Sequence, residues 1–289
     1  MPELPEVETT VLQLNNIQPK IVGRKFLDFW TDTPKLIKKP SFSQFKKEIL
    51  KKRIEKIWRR GKNIIFELSP QKYLLIHLKL TGSLLVGRWK KKGRKWEPEI
   101  EGPLKEDPFN RFLHLIFFLD DRRQIALSDL RKFAKVELLN PKELEEELSK
   151  LGPEPLAKDF TFEKFKEIFK NKKGKIKKVL MDQSVLSGIG NIYSDEILFS
   201  AKVHPLREIK TLTEDELKRI YFFTKKILKK AIQFKGTSVA DYRNVDGKKG
   251  QFEKFLKVYR KEKCSVCGKE IKKLKLGERS SYFCPRCQK

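Results

Sequence analysis

The sequence predicts an α+β chain of several domains: a β-sandwich or barrel led by one short helix, then a helical domain, then a four-cysteine zinc finger. Three observations carry this. Short β-branched and aromatic runs separated by turn signals fill residues 21–139. Beyond Gly152-Pro153-Glu154-Pro155 the apolar periodicity becomes helical. All four cysteines lie in the last 26 residues, as two Cys-x-x-Cys pairs sixteen residues apart.

In chain order, Leu4, Val7, Val11 and Leu14 share one face of a helix predicted from Leu4 to about Asn16. Strands are predicted at Lys25–Trp30, Arg53–Trp58, Asn63–Leu68, Tyr73–Leu78, Phe112–Leu119, Gln124–Leu127 and Lys135–Leu139. A basic insertion from Arg88 to Asn110, rich in Lys, Trp, Gly and Pro, reads as an exposed loop. Phe162, Phe165 and Phe169 mark a short amphipathic helix. Thr213-Glu214-Asp215-Glu216 is a capping box that opens a longer one. The resulting domains are 1–140 (β), 141–155 (hinge), 156–250 (helical) and 251–289 (finger).

The balance of 66 Lys+Arg against 38 Asp+Glu, net +28, points to a polyanionic partner, with nucleic acid the leading candidate over a merely solvated surface. The acidic start lacks an apolar signal segment, and no apolar run approaches the ~20 residues of a membrane span. A cytoplasmic protein is expected.

Several motifs bear chemistry. Cys264, Cys267, Cys284 and Cys287 have the spacing of a closed tetrahedral zinc site, which leaves no coordination position for a catalytic water. One structural Zn²⁺ is expected and no small-molecule cofactor. Arg279 should sit near the tip of the finger hairpin, either gripping phosphate or simply solvated. Gly188-Ile189-Gly190-Asn191 reads as a tight interhelical turn, either an anion site at a helix start or a packing device; nearby lysines favour the former. In Asp129-Leu130-Arg131-Lys132-Phe133, the alternating Arg131 and Phe133 read as a wedge for a nucleic-acid helix or as a core Phe beside a solvated Arg. Lys62, after Gly61 at the mouth of a strand, either points into a cleft or is solvated.

The start Pro2-Glu3-Leu4-Pro5-Glu6 has two compatible readings. Acidic residues and Pro5 suit a helix N-terminus. Removal of Met1 would also expose proline's secondary amine, and an α-amino group with a pKa of about 8 is partly unprotonated near neutrality. Such an amine attacks a sugar aldehyde carbon to give an iminium, an electron sink, with Glu3 close enough to move protons.

Pro2-Glu3-Leu4-Pro5-Glu6-Val7-Glu8-Thr9, Arg60-Gly61-Lys62, His77-Leu78-x-Leu80-Thr81-Gly82, Leu151-Gly152-Pro153-Glu154-Pro155-Leu156, Gly188-Ile189-Gly190-Asn191-Ile192-Tyr193 and the four-cysteine finger occur in that order. Together they resemble the formamidopyrimidine-DNA glycosylases, relatives of endonuclease VIII, from the first residue to the last. The resemblance implies a monomeric glycosylase and apurinic/apyrimidinic lyase acting on damaged double-stranded DNA, with a helix-two-turn-helix domain. Pro2 would attack C1′, Glu3 would act as acid/base and Glu6 would support the site. Lys62 would contact the lesion or its phosphate and transfer protons. Arg279 would grip DNA and serve the second elimination, and Asn191, Lys172 and Lys177 would contact DNA.

The family's void-filling trio is usually Met, Arg and Phe; here it would be Leu80, Arg131 and Phe133, with a stiffer wedge in Leu80. A family histidine that contacts DNA falls on Phe112 by spacing, and His114 is expected to face the core. The competing readings are an endonuclease VIII type acting on oxidised pyrimidines and a non-catalytic zinc-finger protein that recognises damaged DNA.

Overall fold

The computed structural model describes residues 1–239 and 241–289. It divides into two compact units, Met1–Leu148 with Phe234–Gln251, and Ser149–Gln233 with Phe252–Lys289.

The first unit is a β-sandwich. One antiparallel sheet has the order Phe26–Thr31, Leu113–Leu119, Gln124–Asp129, Gly82–Gly87. The other runs Ile37–Lys39, Lys135–Leu139, Lys72–His77, Asn63–Leu68, Ile54–Arg60, with only Ile37–Lys39 parallel to its neighbour. Alternation along the strands decides what each residue covers. Leu115, Phe117, Ile125 and Leu127 face Ile64, Phe66, Leu74 and Ile76 in one shared core, which Val7, Val11 and Leu14 of the helix Leu4–Asn16 join. The alternate residues are buried too: Ile65, Leu75 and Leu139 lie under Leu144 of the helix Pro141–Ser149.

The other outer face corrects the reading of residues 88–110 as a loop. They fold into a hairpin, Trp89–Lys92 with Lys95–Pro98, then a turn of helix at Pro103–Glu106 and a 3-10 turn at Pro108–Arg111. Trp89 is buried with Leu85, Leu113, Ile116 and Ala126, and Trp96 and Leu104 pack beside it. Gly87 permits the fold-back: a Cβ there would stand 2.7 Å from Leu104 and 3.0 Å from Trp89. Lysines between the tryptophans hid a strand whose Trp residues anchor it to the sheet.

A second correction concerns residues 234–250, expected in the helical domain, which belong to the first unit. Polar contacts recur along this segment. Thr237 N–H donates to Glu6 at 2.7 Å, Tyr242 hydroxyl to the Glu6 carbonyl at 3.0 Å, and Val245 N–H to Gln13 at 3.1 Å. Arg243, buried, donates to Asp107 at 2.7 Å and lies over the Phe109 ring, while Asn110 donates to the Gly247 carbonyl at 2.9 Å. The insertion therefore anchors the returning segment. Nothing in the hydrophobic pattern announces this, because the contacts are polar and more than a hundred residues apart in sequence.

In the second unit the helix Phe162–Lys170 buries Phe165 and Phe169. The capping box forms as expected, with Glu216 N–H donating to Thr213 at 3.2 Å and Thr213 N–H to Glu216 at 2.9 Å, and opens the helix Glu214–Gln233. At the centre is Asn191–Ala201, buried almost all round. Two adjacent buried carboxylates bind the finger to it. Glu196 accepts from the N–H groups of Lys257, Val258 and Tyr259 at 2.9–3.0 Å. Asp195 reaches the finger hairpin, Lys272–Leu276 with Arg279–Phe283, accepting from Ser281 hydroxyl at 2.8 Å and Tyr282 N–H at 3.1 Å. Among the described residues no helix is long and apolar enough to cross a membrane.

Candidate active site

The helix Leu4–Asn16 begins at a buried carboxylate pair. Glu3 and Glu6 form a capping box, and Glu6 accepts from Glu3 N–H at 2.7 Å through one oxygen and from Thr237 N–H at 2.7 Å through the other. With both oxygens engaged, Glu6 fixes the backbone on either side of the terminus. A Cβ on Gly236, whose φ is +76°, would come within 2.7 Å of the Glu6 carboxylate, so glycine is required by both conformation and space.

Pro2 and Glu3 are buried, and so is Lys62 in the turn between Ile54–Arg60 and Asn63–Leu68. The Met1 α-amino group, one residue out from Pro2, is held below its ordinary 8.0 by burial, opposed by Glu3, Glu6 and Asp241 and assisted by Lys62. An amine, two carboxylates and an ammonium thus share one partly desolvated site in the first unit. Such a site can keep an amine unprotonated near neutrality and move protons beside it.

His77 was not singled out from the sequence, yet it belongs here. It pairs with Asn63 across the sheet, next to Lys62, and its Nδ1 accepts from Lys79 N–H at 3.0 Å. That bond places its proton on Nε2. Burial, with Lys79, Lys62 and Lys135 adding to it, holds His77 down to about 3, so it remains a neutral donor at physiological pH. Its folded-state value lies below the unfolded one, so the unfolded chain binds more protons between about pH 3 and 6.5. Stability is full above pH 6.5 and is lost as pH falls through that window. Lowering pH from about 7 to about 5 should remove about 1–2 kcal/mol through this residue. Urea unfolding at the two pH values, compared between the parent chain and His77→Gln, should show a smaller difference for the variant.

The turn that carries Leu80 is tied to the loop that carries Arg131 and Phe133, Arg131 N–H donating to the Thr81 hydroxyl at 3.1 Å. Leu80 is in the turn after Lys72–His77, and Arg131 and Phe133 are exposed, the guanidinium 4.8 Å from the ring centroid. Asp129 organises them, another role not read from the sequence. Fully buried, it bonds Thr81 hydroxyl beside Leu80 and accepts from the N–H groups of Phe133 and Ala134, both at 2.8 Å. Both turns therefore hang on one carboxylate, which holds an apolar ring out in water.

In the second unit the glycine turn is held by Gln183, which donates to the carbonyls of Met181 and Ile189 and accepts from Gly188 N–H. Asn191 opens the central helix, but its Nδ2 donates to Ser280 carbonyl at 3.0 Å. It thereby sets Arg279, the adjacent finger residue, beside the start of this helix. Arg279 is exposed at the hairpin tip, with Met181 sulfur 4.0 Å from its Nη1. Lys172 is exposed. Lys177, expected to contact DNA, is corrected: fully buried, its Nζ donates to Asp195 at 2.7 Å. A basic stretch does not say which lysine turns inward.

The sulfurs of Cys264, Cys267, Cys284 and Cys287 all lie within 4.8 Å of one another, with Cys264–Cys287 at 3.8 Å and Cys267–Cys284 at 3.5 Å. Tetrahedral Zn–S bonds of about 2.3 Å give S···S edges near ~3.8 Å, so the set fits zinc. Burial and the crowding of thiols push Cys287 up to about 12, and a dication among the four would hold all as thiolates.

Three family descriptions match in order: a formamidopyrimidine-DNA glycosylase N-terminal domain at residues 1–136, the H2TH domain of the same enzymes at 151–243, and a zinc finger found in FPG and IleRS at 261–289. The chain belongs to the formamidopyrimidine-DNA glycosylase family. The formamidopyrimidine-DNA glycosylases of Pelotomaculum thermopropionicum and Streptococcus mutans are each 38% identical to it, over the whole of this chain and 99–100% of theirs. A Lactococcus lactis Fpg in complex with abasic-site DNA superposes with a TM-score of 0.85 at 34% identity, covering 99% of both chains. A MutM bound to DNA containing carbocyclic 8-oxo-G gives 0.85 at 35%, with the same coverage. The fold expected from sequence, with its β domain, helix-two-turn-helix domain and zinc finger, is therefore that of the family, and the four cysteines are those of its finger.

Proposed function

We propose that the chain is a bifunctional DNA glycosylase and apurinic/apyrimidinic lyase that removes oxidised purines, 8-oxoguanine and formamidopyrimidines, from duplex DNA in base-excision repair. The observation that carries the chemistry is the burial of Pro2 beside Glu3, Glu6 and Lys62, in surroundings that lower even the Met1 amine one residue farther out. The lesion nucleotide must leave the stack for its C1′ to be reached. The Pro2 nitrogen then attacks C1′, the glycosidic bond breaks and the base departs with a proton. The ring opens to an iminium that accepts electrons from C2′, so that loss of a C2′ proton expels the 3′ phosphate and a further elimination expels the 5′ phosphate.

In this reading Glu3 exchanges protons with the sugar, and Glu6 positions the terminus through its two hydrogen bonds. Lys62 and neutral His77 face the phosphate or lesion. Leu80, Arg131 and Phe133 fill the space left in the helix, Phe133 stacking where its exposed ring is already held. Arg279, Asn191 and Lys172 contact phosphates. Cys264, Cys267, Cys284 and Cys287 hold one Zn²⁺, which supplies no reaction chemistry and fixes the hairpin carrying Arg279. The chain works as a monomer in the cytoplasm, on the nucleoid.

The test sets 8-oxoguanine duplexes against thymine-glycol duplexes, without added metal. Cleavage of the first roughly ten times faster than the second, or more, is expected, since about 1.4 kcal/mol of preference in the lesion pocket is tenfold in rate. Preference for thymine glycol would favour the endonuclease VIII type, and damage-selective binding without cleavage would leave only a recognition protein.

A further inference from the structure

The hairpin Trp89–Lys92/Lys95–Pro98 does more than cover the sheet. Between it and the outer face of the four-stranded sheet lies a cavity of about 610 Å³, lined by Trp30, Trp89, Trp96, Asn110, Phe112 and Arg111 among others. This is within the usual range for small-molecule sites. Three kinds of group meet in it. Aromatic faces are supplied by Trp30 and Trp96, edge-to-face at 5.5 Å, and by Phe112, with the Arg111 guanidinium 5.5 Å from its centroid. A polar group on its wall is the Asp32 carboxylate, whose side chain is 43% exposed. Cations are Arg94 and Lys95, exposed at the hairpin turn on the cavity's rim.

A cover that only shielded apolar surface would close on the sheet with aliphatic groups, whereas this one leaves a space walled by aromatic rings. π faces and a carboxylate on the wall, with cations at the mouth, match a planar heterocycle carrying a phosphate. Asp32, bonded to His114 at 2.9 Å, offers an acceptor to an exocyclic amine. We propose that this cavity binds one unpaired nucleotide, its base against Trp30 and Trp96 and its phosphate on Arg94 and Lys95. Base–aromatic stacking of about 1–3 kcal/mol needs no sequence preference. The nucleotide comes either free or from single-stranded DNA. This site is separate from the terminal amine and does not depend on the glycosylase reading.

Three of the four tryptophans line the cavity, and the fourth, Trp58, packs elsewhere, so intrinsic fluorescence reports occupancy. The intact chain is titrated with dGMP, with a single-stranded DNA hexamer and with inorganic phosphate. Saturable quenching by dGMP is expected, about tenfold weaker in Arg94→Glu/Lys95→Glu and unchanged in Arg131→Ala/Phe133→Ala. A hexamer binding roughly ten times more tightly than dGMP, or better, assigns the source to single-stranded DNA; equal binding assigns it to free nucleotide. No quenching at millimolar dGMP, displacement by inorganic phosphate at equal concentration, or weakening only in Arg131→Ala/Phe133→Ala overturns the proposal.

Discussion

Pro2→Gln should lose roughly a thousandfold or more in cleavage of 8-oxoguanine duplex and should give no borohydride-trapped adduct. Glutamine at this position is too large for Met1 to be removed, so the chain's only α-amine stays one residue farther out, displaced by about 3.8 Å along the backbone. Misplacement of a reacting group by about 1 Å already costs about a hundredfold. Glu3 and Glu6 hold the backbone that follows by hydrogen bonds at 2.7 Å, so the terminus cannot shift to recover the distance. Pro2→Gly, from which Met1 is removed, should keep part of the trapping, since a primary amine also condenses with an aldehyde but forms a less electron-withdrawing adduct at neutral pH. Mass spectrometry of the terminus, run beside the trapping assay, separates the two variants. An intact Met1 on the active parent chain, or a Pro2→Gln chain that traps at the parent rate, would remove Pro2 from the mechanism.

The helix cap at that terminus was legible because its chemistry is local. A proline after the initiator, a carboxylate next to it and a second one three residues on define the helix cap that forms, and suggest the proposed reaction site, without reference to anything distant. The cysteine pairs were legible for the same reason, and the β-sandwich followed from alternation in its longer strands. What escaped was whatever depends on partners far away in sequence. Lys177 looked like its neighbours in a basic run, and only Asp195, eighteen residues later, turns it inward. His77 was quoted within a motif, but its role rests on sitting opposite Asn63 in the sheet, a matter of register. Asp129 began a motif read for its Arg and Phe, although its carboxylate shapes the loop that presents them. The strand Gly82–Gly87 went unseen because glycine at both ends reads as turn rather than sheet.

Asp195→Ala should destabilise the chain by about 3–5 kcal/mol, because it leaves the fully buried Lys177 ammonium without its counter-ion. Burial pushes Asp195 up to about 6, opposed first by Lys177, whose Nζ donates to it at 2.7 Å. The same carboxylate accepts from Ser281 and Tyr282, two and three residues beyond Arg279 on the finger hairpin. Its removal therefore frees the strand that carries the arginine as well as unbalancing the interior. Thermal unfolding measures the first effect, and Asp195→Leu with Lys177→Met should restore most of the stability because an apolar pair of similar volume needs no counter-charge. The double variant should still bind lesion DNA about 10–100-fold more weakly, since charge-assisted phosphate contacts of about 1.5–3 kcal/mol depend on where Arg279 is held. Recovery of stability and affinity together would mean that Asn191, through its bond to Ser280, suffices to place the hairpin. Loss of affinity with stability restored would assign the placing of Arg279 to Asp195.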